Sequence, residues 1–226
     1  MPTVKPLLIP PIEKCNCLLF DFDGTLAPNL DLPDMRRQVI DMCETHEIPR
    51  NIYSDLYIVE IIDAATTYLQ KNNLKLADGF YDSAHNLIKN IELAEASKTK
   101  PFEGMKDFLA LLRQNSIELA VVTRNCREAV LKVFPELLEY VDCLFARDDT
   151  AYLKPDTRHL EAALKQTNKN PAESAIIGDG ALDMITGKKL GVAAIGVLTG
   201  NTNSDALYSA GADLVVSKCQ DIIASH

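Results

Sequence analysis

Short apolar runs recur along this chain, and segments with helical residue patterns lie between several of them. The runs are Cys17 to Phe20, Ile117 to Val122, Cys143 to Phe145, Ser174 to Ile177, Ala193 to Val197 and Leu214 to Val216. Short apolar runs that end in turn residues are typical of buried strands. Strands that alternate with helices predict a parallel sheet covered by helices on both faces and joined by right-handed crossovers. The expected fold class is therefore α/β.

One region, residues 31–98, breaks this alternation. It contains no convincing strand, but it has apolar positions at helical spacing, namely Ile58, Ile61, Ile62, Ala65 and Leu69. Pro33 indicates the start of one helix and Asp78-Gly79 a break between two others, so we expect three or four helices here. We interpret the region as an inserted α-helical cap, with residues 1–30 and 99–226 forming the sheet domain.

The charge balance limits the partners that this chain can bind. The 226 residues include 23 Lys and Arg against 32 Asp and Glu, which gives a formal net charge of −9. An acidic surface disfavours general binding to nucleic acids or anionic membranes. No apolar stretch approaches roughly 18 residues, and no basic segment precedes a long apolar run near the N-terminus. We expect a cytoplasmic protein with no nucleic-acid or membrane partner, and a monomer or weak homodimer as its oligomeric state.

Polar side chains follow several of the predicted strands, at the edge where open parallel sheets bind ligands. The candidates are Asp21 and Asp23 after the first run, Thr123 after the second, Lys154 in a loop before a helix, and Asp179 with Asp183 after the run that ends at Ile177. Together they include a carboxylate nucleophile, an acid/base, metal ligands, and a cation and hydroxyl for phosphate oxygens. These are the parts that a phosphoryl-transfer site needs.

Each of these sets also has a simpler explanation when it is taken alone. Asp21 and Asp23 point the same way if the strand geometry persists, and Mg²⁺ would neutralise the carboxylates of Asp21 and Asp179. An isolated Asp-x-Asp-Gly is equally compatible with an acidic turn, and Asp179 with Asp183 is compatible with capping of a helix. A lone threonine at a strand end is usually a helix cap, and a lone lysine is usually solvated. The functional interpretation depends on all the sets occurring in one chain.

Taken together, four ordered segments resemble the motifs of the haloacid dehalogenase-like hydrolase superfamily. They are Asp21-Phe22-Asp23-Gly24-Thr25, Thr123, Lys154-Pro155 and Gly178-Asp179-Gly180-x-x-Asp183. The motif order and the helical insertion after the first motif resemble the phosphatase branch with a type-1 cap, the group that contains phosphoglycolate phosphatases and β-phosphoglucomutase. The resemblance covers the whole chain and implies a Rossmann-like α/β core with an inserted α-helical cap.

The resemblance also implies a two-step mechanism. Asp21 would become an aspartyl-phosphate, while Asp23 would protonate the leaving alcohol and then activate the hydrolytic water. Thr123 and Lys154 would hold the transferring phosphoryl group, and Lys154 would restrain the charge on Asp21. These four residues form the implied catalytic set.

The implied cofactor is Mg²⁺, with no other cofactor. Its implied ligands are the side chains of Asp21 and Asp179, the backbone carbonyl of Asp23, and Asp183 either directly or through water. The implied contacts to the substrate phosphate are Asp23, Gly24, Thr123, Arg124 and Lys154. Arg124 departs from the family pattern, because many relatives have a small or amide residue directly after the threonine.

The leading hypothesis is a Mg²⁺-dependent phosphohydrolase that acts on a small phosphorylated metabolite. A phosphomutase, such as a β-phosphoglucomutase-like enzyme, would use the same Asp21 and Asp23 but return the phosphoryl group to a sugar intermediate. A non-catalytic protein could retain the fold, although every motif position carries a competent side chain.

Asp23 argues against dehalogenation, because the dehalogenase branch lacks an acid/base aspartate there. Phosphonate hydrolysis would need a lysine from the cap, and Lys71, Lys75 and Lys89 lie in no motif that we recognise.

Overall fold

The computed structural model describes residues 7–224. Over this part of the chain the backbone forms two compact units: residues up to Asn29 together with those from Ala96 onward form the first, and Leu30–Glu95 form the second. The division into a sheet domain of residues 1–30 and 99–226 and an inserted cap stays a prediction. Residues 1–6, 225 and 226 of that division lie outside the described residues.

The strands of the first unit form one sheet. They are Cys17–Phe20 (β1), Glu118–Val122 (β2), Cys143–Phe145 (β3), Ser174–Gly178 (β4), Ala193–Val197 (β5) and Leu214–Val216 (β6). Their order across the sheet is β3-β2-β1-β4-β5-β6, and every neighbouring pair is parallel. The predicted parallel α/β fold is therefore confirmed, with each strand within one residue of its apolar run.

The α-helices of the described residues are, in chain order, Leu32–Thr45 (α1), Ile58–Asn72 (α2), Leu74–Ala96 (α3), Met105–Gln114 (α4), Arg127–Val133 (α5), Leu137–Tyr140 (α6), Arg158–Thr167 (α7), Ala181–Leu190 (α8) and Ser204–Ser209 (α9). Short 3₁₀ helices span Arg50–Ile52, Arg147–Asp149, Pro171–Glu173 and Cys219–Ile222. Within residues 7–224, no helix has the length and apolar character needed to cross a lipid bilayer.

Both faces of the sheet are packed against helices. Successive side chains of a strand point to opposite faces. Leu19 lies in one buried cluster with Leu160 of α7 and Met184 of α8. The next residue, Phe20, points the other way, and its ring meets that of Phe108 in α4 edge-on, with 5.9 Å between the ring centroids. Because both faces of the sheet are covered, apolar side chains are favoured at successive positions of a strand, and the strands are therefore continuous apolar runs in the sequence.

The second unit is helical and has a core of its own. Ile61, Ile62, Ala65 and Leu69 of α2 are buried in this core, as their spacing predicts, whereas Ile58 is partly buried at its edge. Helix α1 begins where expected from Pro33. The other buried members of the cluster are Met35, Val39, Cys43, Ile48, Tyr53, Ala77, Phe80, Ala84 and Ile88.

The predicted break at Asp78-Gly79 is wrong, because α3 runs without interruption from Leu74 to Ala96. Ala77, Phe80 and Ala84 lie on one face of this helix and are almost completely buried. A glycine inside a helix costs about 1 kcal/mol relative to alanine. Burial of a single phenylalanine side chain contributes about 1.5–3 kcal/mol, so packing on both sides of the glycine outweighs its low helix propensity.

Two helical glycines should respond in opposite ways to substitution by alanine. A Cβ at Gly187 in α8 would lie 2.5 Å from Ile176 Cγ2 in β4, whereas a Cβ at Gly79 would have no atom within 4 Å. We expect Gly187→Ala to lower the free energy of unfolding by about 1–3 kcal/mol through overpacking. Gly79→Ala should raise it by about 0.5–1 kcal/mol. Urea unfolding of both variants measures these changes, and equal midpoints would contradict the packing described for α8.

Candidate active site

The strands at the centre of the sheet carry predicted site residues at their carboxyl ends. Asp21 follows β1, Thr123 follows β2 and Asp179 follows β4. Because β1 pairs with both β2 and β4, the three loops leave the sheet side by side. The chain order also reverses here, since β2 and β3 lie on one side of β1 and β4 to β6 lie on the other. Open parallel sheets bind ligands at such a reversal.

Three carboxylates form an acidic cluster at this edge. Asp21, Asp179 and Asp183 each offer one oxygen, and these three atoms lie within 4.8 Å of one another. Asp179 is 7% exposed and Asp183 is 2% exposed. Asp183 lies in the first turn of α8, where its Oδ2 accepts a hydrogen bond from the Gly180 N–H at 3.1 Å. Grouped carboxylate oxygens are the donor set that hard divalent cations prefer.

The cluster carries more negative charge than its surroundings neutralise. Burial, followed by the charges of Asp21 and Asp183, raises the pKa of Asp179 to about 7. Burial also raises the pKa of Asp183 to about 6, although Lys154 favours its charged form. Both shifts favour a bound proton or cation next to these carboxylates.

Lys154 supplies a positive charge to this cluster from a buried position. Its Nζ lies 2.8 Å from Asp21 Oδ1 and 2.5 Å from Asp183 Oδ1, and its side chain is 2% exposed. Burial alone lowers a lysine pKa, but the two carboxylates outweigh it, so the pKa of Lys154 is raised. The structure thus brings together Asp21, Asp179, Asp183 and Lys154, which the sequence nominated from three separate segments.

Hydrogen bonds tie the Lys154 loop to the ends of β2 and β3. The Lys154 N–H donates to His159 Nδ1 at 3.2 Å, so the neutral ring carries its proton on Nε2, which donates to the Phe145 carbonyl at 3.2 Å. The Thr123 N–H donates to the same carbonyl at 3.0 Å. Burial lowers the pKa of His159 to about 3, so the ring stays neutral.

The Arg124 guanidinium donates to the Lys154 carbonyl, and a contact of Arg124 with phosphate stays a prediction.

Asn125 contacts Asp23, a contact that the sequence analysis missed. Its Nδ2 lies 3.2 Å and 3.1 Å from the two carboxylate oxygens of Asp23. Its backbone N–H donates to Thr123 Oγ1 at 3.1 Å. Thr123 does not cap the following helix, because α5 begins only at Arg127. The sequence does show an amide residue two positions beyond the threonine that follows a strand. Amide residues are common in loops, so this position alone does not indicate a contact with Asp23.

Asp179 is enclosed by the amide of Asn29 and by the backbone of two glycines, which come from two other loops. Asn29 Nδ2 donates to Asp179 Oδ2 at 3.2 Å. A Cβ built on Gly24 would lie 2.4 Å from Asp179 Cγ, and one built on Gly200 would lie 1.7 Å from Asp179 Oδ2. Glycine is therefore required on both sides of this carboxylate, and the sequence analysis did not identify Asn29 or Gly200.

Both backbone groups of Gly24 are engaged within the protein. Gly24 has φ +76°, in keeping with a sharp exit from β1. Its N–H donates to the Ala27 carbonyl at 2.7 Å, and its carbonyl accepts from Thr199 Oγ1 at 2.5 Å. The backbone N–H is thus already used in the turn, and the predicted contact of Gly24 with substrate phosphate stays a prediction.

Comparison with known proteins gives consistent matches. The sequence model of a family described as haloacid dehalogenase-like hydrolase matches residues 18–197. Pyrophosphatase PpaX of Halalkalibacterium halodurans is 28% identical over 186 residues, covering 79% of this chain and 81% of that protein. A plasmid-encoded phosphoglycolate phosphatase of Cupriavidus necator is 29% identical over 211 residues, covering 91% and 90%. The crystal structure of a hydrolase from Pseudomonas syringae has a similar fold, with TM-score 0.70 and 19% identity over 91% of this chain and 95% of that one.

Removal of divalent cations should make the stability of this protein depend on pH through Asp179. The pKa of Asp179 is about 7 in the folded chain and about 4 in an unfolded chain. The folded state therefore holds the proton more tightly, and its stability falls as pH rises from about 4 to about 7. In a chelator, we expect Asp179→Asn to unfold at a higher temperature than the native protein at pH about 8, with a smaller difference at pH about 5.

Thermal unfolding of the two proteins at both pH values measures this effect. Asp55→Asn is the matched control, because Asp55 is an exposed aspartate of the second unit. The control should keep the native pH profile. If Asp179→Asn also keeps it, the buried carboxylate of Asp179 is not the source of the pH dependence.

Proposed function

Because the chain belongs to the haloacid dehalogenase-like hydrolase family, we propose that it is a Mg²⁺-dependent phosphatase that cleaves small phosphate esters through an aspartyl-phosphate on Asp21. One observation carries this proposal. The buried Lys154 ammonium contacts the Asp21 carboxylate, and oxygens of Asp179 and Asp183 lie within 4.8 Å of an oxygen of Asp21. In this proposal Asp21 is the nucleophile, Lys154 is the cation for phosphate oxygens, and the three carboxylates are the donor set for a metal.

The donor set fits Mg²⁺. It consists of the carboxylate oxygens of Asp21, Asp179 and Asp183, and one ammonium, that of Lys154, contacts two of these three groups. Asp21 and Asp179 would hold the ion through their side chains, Asp23 through its backbone carbonyl, and Asp183 directly or through water. When bound, the ion would supply positive charge that stabilises the phosphate oxygens and the carboxylates.

Asp21 is the proposed nucleophile. Lys154 Nζ binds Oδ1 of Asp21, which orients the carboxylate. A carboxylate oxygen of Asp21 forms a bond to phosphorus while the bond from phosphorus to the leaving oxygen breaks. We assign to the Lys154 ammonium a further contact with an oxygen of the transferring phosphoryl group, so that it acts on both partners of the bond that forms.

Asp23 and Thr123 have complementary proposed roles. Asp23 gives a proton to the leaving oxygen in the first step and takes one from water in the second, when the aspartyl-phosphate is hydrolysed. Thr123 Oγ1 accepts a hydrogen bond from the backbone of Asn125, so its own proton is directed to another acceptor. We assign that proton to a phosphate oxygen.

The proposed substrate is a small phosphorylated metabolite. Relatives named pyrophosphatase and phosphoglycolate phosphatase make pyrophosphate and 2-phosphoglycolate the first two compounds to test. A phosphomutase would use the same Asp21 and Asp23, and it differs in returning the phosphoryl group to a sugar phosphate instead of releasing phosphate. The oligomeric state stays the prediction of a monomer or weak homodimer.

Phosphate release should require both Mg²⁺ and the Asp21 carboxylate. Asp21→Asn keeps the size of the side chain but removes the charge and the nucleophilic oxygen, so we expect turnover to fall below detection. The measurement is phosphate release from pyrophosphate, 2-phosphoglycolate, sugar phosphates and p-nitrophenyl phosphate, with Mg²⁺ or with chelator. Asp55→Asn serves as the control, and it should keep the native rate.

The outcomes separate the competing functions. Turnover by Asp21→Asn equal to that of the native protein would contradict the assignment of the nucleophile. Equal turnover in chelator and in Mg²⁺ would contradict the metal requirement. Conversion of a sugar phosphate to its isomer without phosphate release would identify a mutase.

Gly200→Ala should weaken Mg²⁺ binding without changing a ligand. The new Cβ would lie 1.7 Å from Asp179 Oδ2, so the carboxylate must move. Changes to groups that orient metal ligands typically weaken metal binding about 10- to 100-fold, and we expect a loss of this size. Calorimetric titration with Mg²⁺ measures it, with Gly79→Ala as the matched control. Native affinity in Gly200→Ala would show that Asp179 does not bind the ion in this position.

A further inference from the structure

The Asn125 side chain lies beside Asp23, but the mechanism given above uses only the backbone N–H of Asn125. It is 3% exposed, and its amide nitrogen contacts both carboxylate oxygens of Asp23, at 3.2 Å and 3.1 Å. These residues are 102 positions apart in the sequence. We infer that Asn125 is a positioning residue that sets the side-chain conformation of Asp23 for proton transfer to the leaving group. This inference rests on the proposed function and deepens it.

Asn125 is held on several sides, which fixes the direction of its amide nitrogen. Its backbone N–H donates to Thr123 Oγ1 at 3.1 Å, and its backbone carbonyl accepts from the Arg147 N–H at 2.9 Å. Its side-chain Oδ1 accepts from the Cys126 N–H at 2.8 Å. Because only an oxygen can accept from that N–H, the NH₂ group must be the end that faces Asp23.

The contact with Asn125 constrains the Asp23 side chain. Asp23 lies three residues beyond Phe20, the last residue of β1, and is only half-buried, so the sheet itself does not determine its conformation. A neutral amide donor orients a carboxylate without adding a charge to the cluster of Asp21, Asp179 and Asp183. The bond remains possible when Asp23 is protonated, because one carboxyl oxygen can still accept.

A positioning role predicts an effect that depends on the leaving group. An alkoxide is a poor leaving group, so transfer from an alkyl phosphate needs a proton from Asp23 at the moment the bond breaks. p-Nitrophenolate leaves readily without that proton. If Asn125 served only to support Thr123 and the phosphate contacts, its loss would affect both classes of ester equally.

The test compares Asn125→Ala with the native protein on an alkyl phosphomonoester and on p-nitrophenyl phosphate. The value of kcat/KM reports the steps up to transfer of the phosphoryl group to Asp21. We expect kcat/KM to fall about tenfold more for the alkyl ester than for the aryl ester, a fraction of the 10²–10⁴-fold that a general acid contributes. Equal losses for the two esters would overturn the inference.

A second variant guards against a loss caused by rearrangement of the loop. Asn125→Asp has the same shape and keeps an oxygen to accept the Cys126 N–H, but it turns an oxygen instead of an NH₂ group toward Asp23. We expect the same preferential loss for the alkyl ester. Asn115→Ala is the matched control, because Asn115 is exposed and its amide donates only to the nearby Leu111 carbonyl at 2.9 Å. It should keep the native ratio of the two esters.

Asp23→Ala separates failure of this inference from failure of the proposed function. If Asp23 is the acid, Asp23→Ala alone should lower the ratio of alkyl to aryl kcat/KM. Adding Asn125→Ala to Asp23→Ala should then not lower this ratio further, because Asn125 acts through Asp23. A lowered ratio in Asp23→Ala with a native ratio in Asn125→Ala would overturn the inference alone. A native ratio in Asp23→Ala, or no turnover by the native protein, would contradict both proposals.

Discussion

The contact between the buried ammonium of Lys154 and the carboxylates of Asp21 and Asp183 is the interaction on which the candidate site depends. A buried charge is tolerated only when it is paired, and Lys154 is paired twice. The third carboxylate, Asp179, receives a hydrogen bond from the neutral amide of Asn29. One positive charge therefore serves three acidic groups, and burial together with the charges of Asp21 and Asp183 raises the pKa of Asp179. The same imbalance is what makes a cation a suitable ligand for this edge of the sheet.

Neutral groups contribute to holding the loops around this cluster in place. The neutral ring of His159 joins the Lys154 backbone to the Phe145 carbonyl, which also accepts a hydrogen bond from the Thr123 N–H. The amide of Asn125 plays a similar part next to Asp23. Each of these groups contacts a candidate site residue and adds no charge to the site. A charged residue in any of these positions would shift the protonation of the carboxylates.

The strands and the strand-end residues could be predicted from the sequence, because both depend on local patterns. A parallel strand covered on both faces must be apolar throughout, so its limits are visible in the chain. Asp21 and Thr123 were nominated because each directly follows such a run, and Asp179 because only Gly178 separates it from another. Asn125 could not be assigned in this way, since its partner Asp23 is brought next to it only by the pairing of β1 with β2.

The sequence by itself determined the α/β class, the places where the strands end and the residue types available there, since apolar periodicity is set by neighbouring positions. Only the tertiary structure decided that Lys154 is buried between two carboxylates and that Gly200 must lack a side chain. It also decided that α3 continues through Gly79. Burial, charge neutralisation and close packing depend on which distant segments meet. Burial, charge pairing and packing override the local preference of a glycine to interrupt a helix and of a lysine to lie in solvent. They cannot be derived from one stretch of sequence.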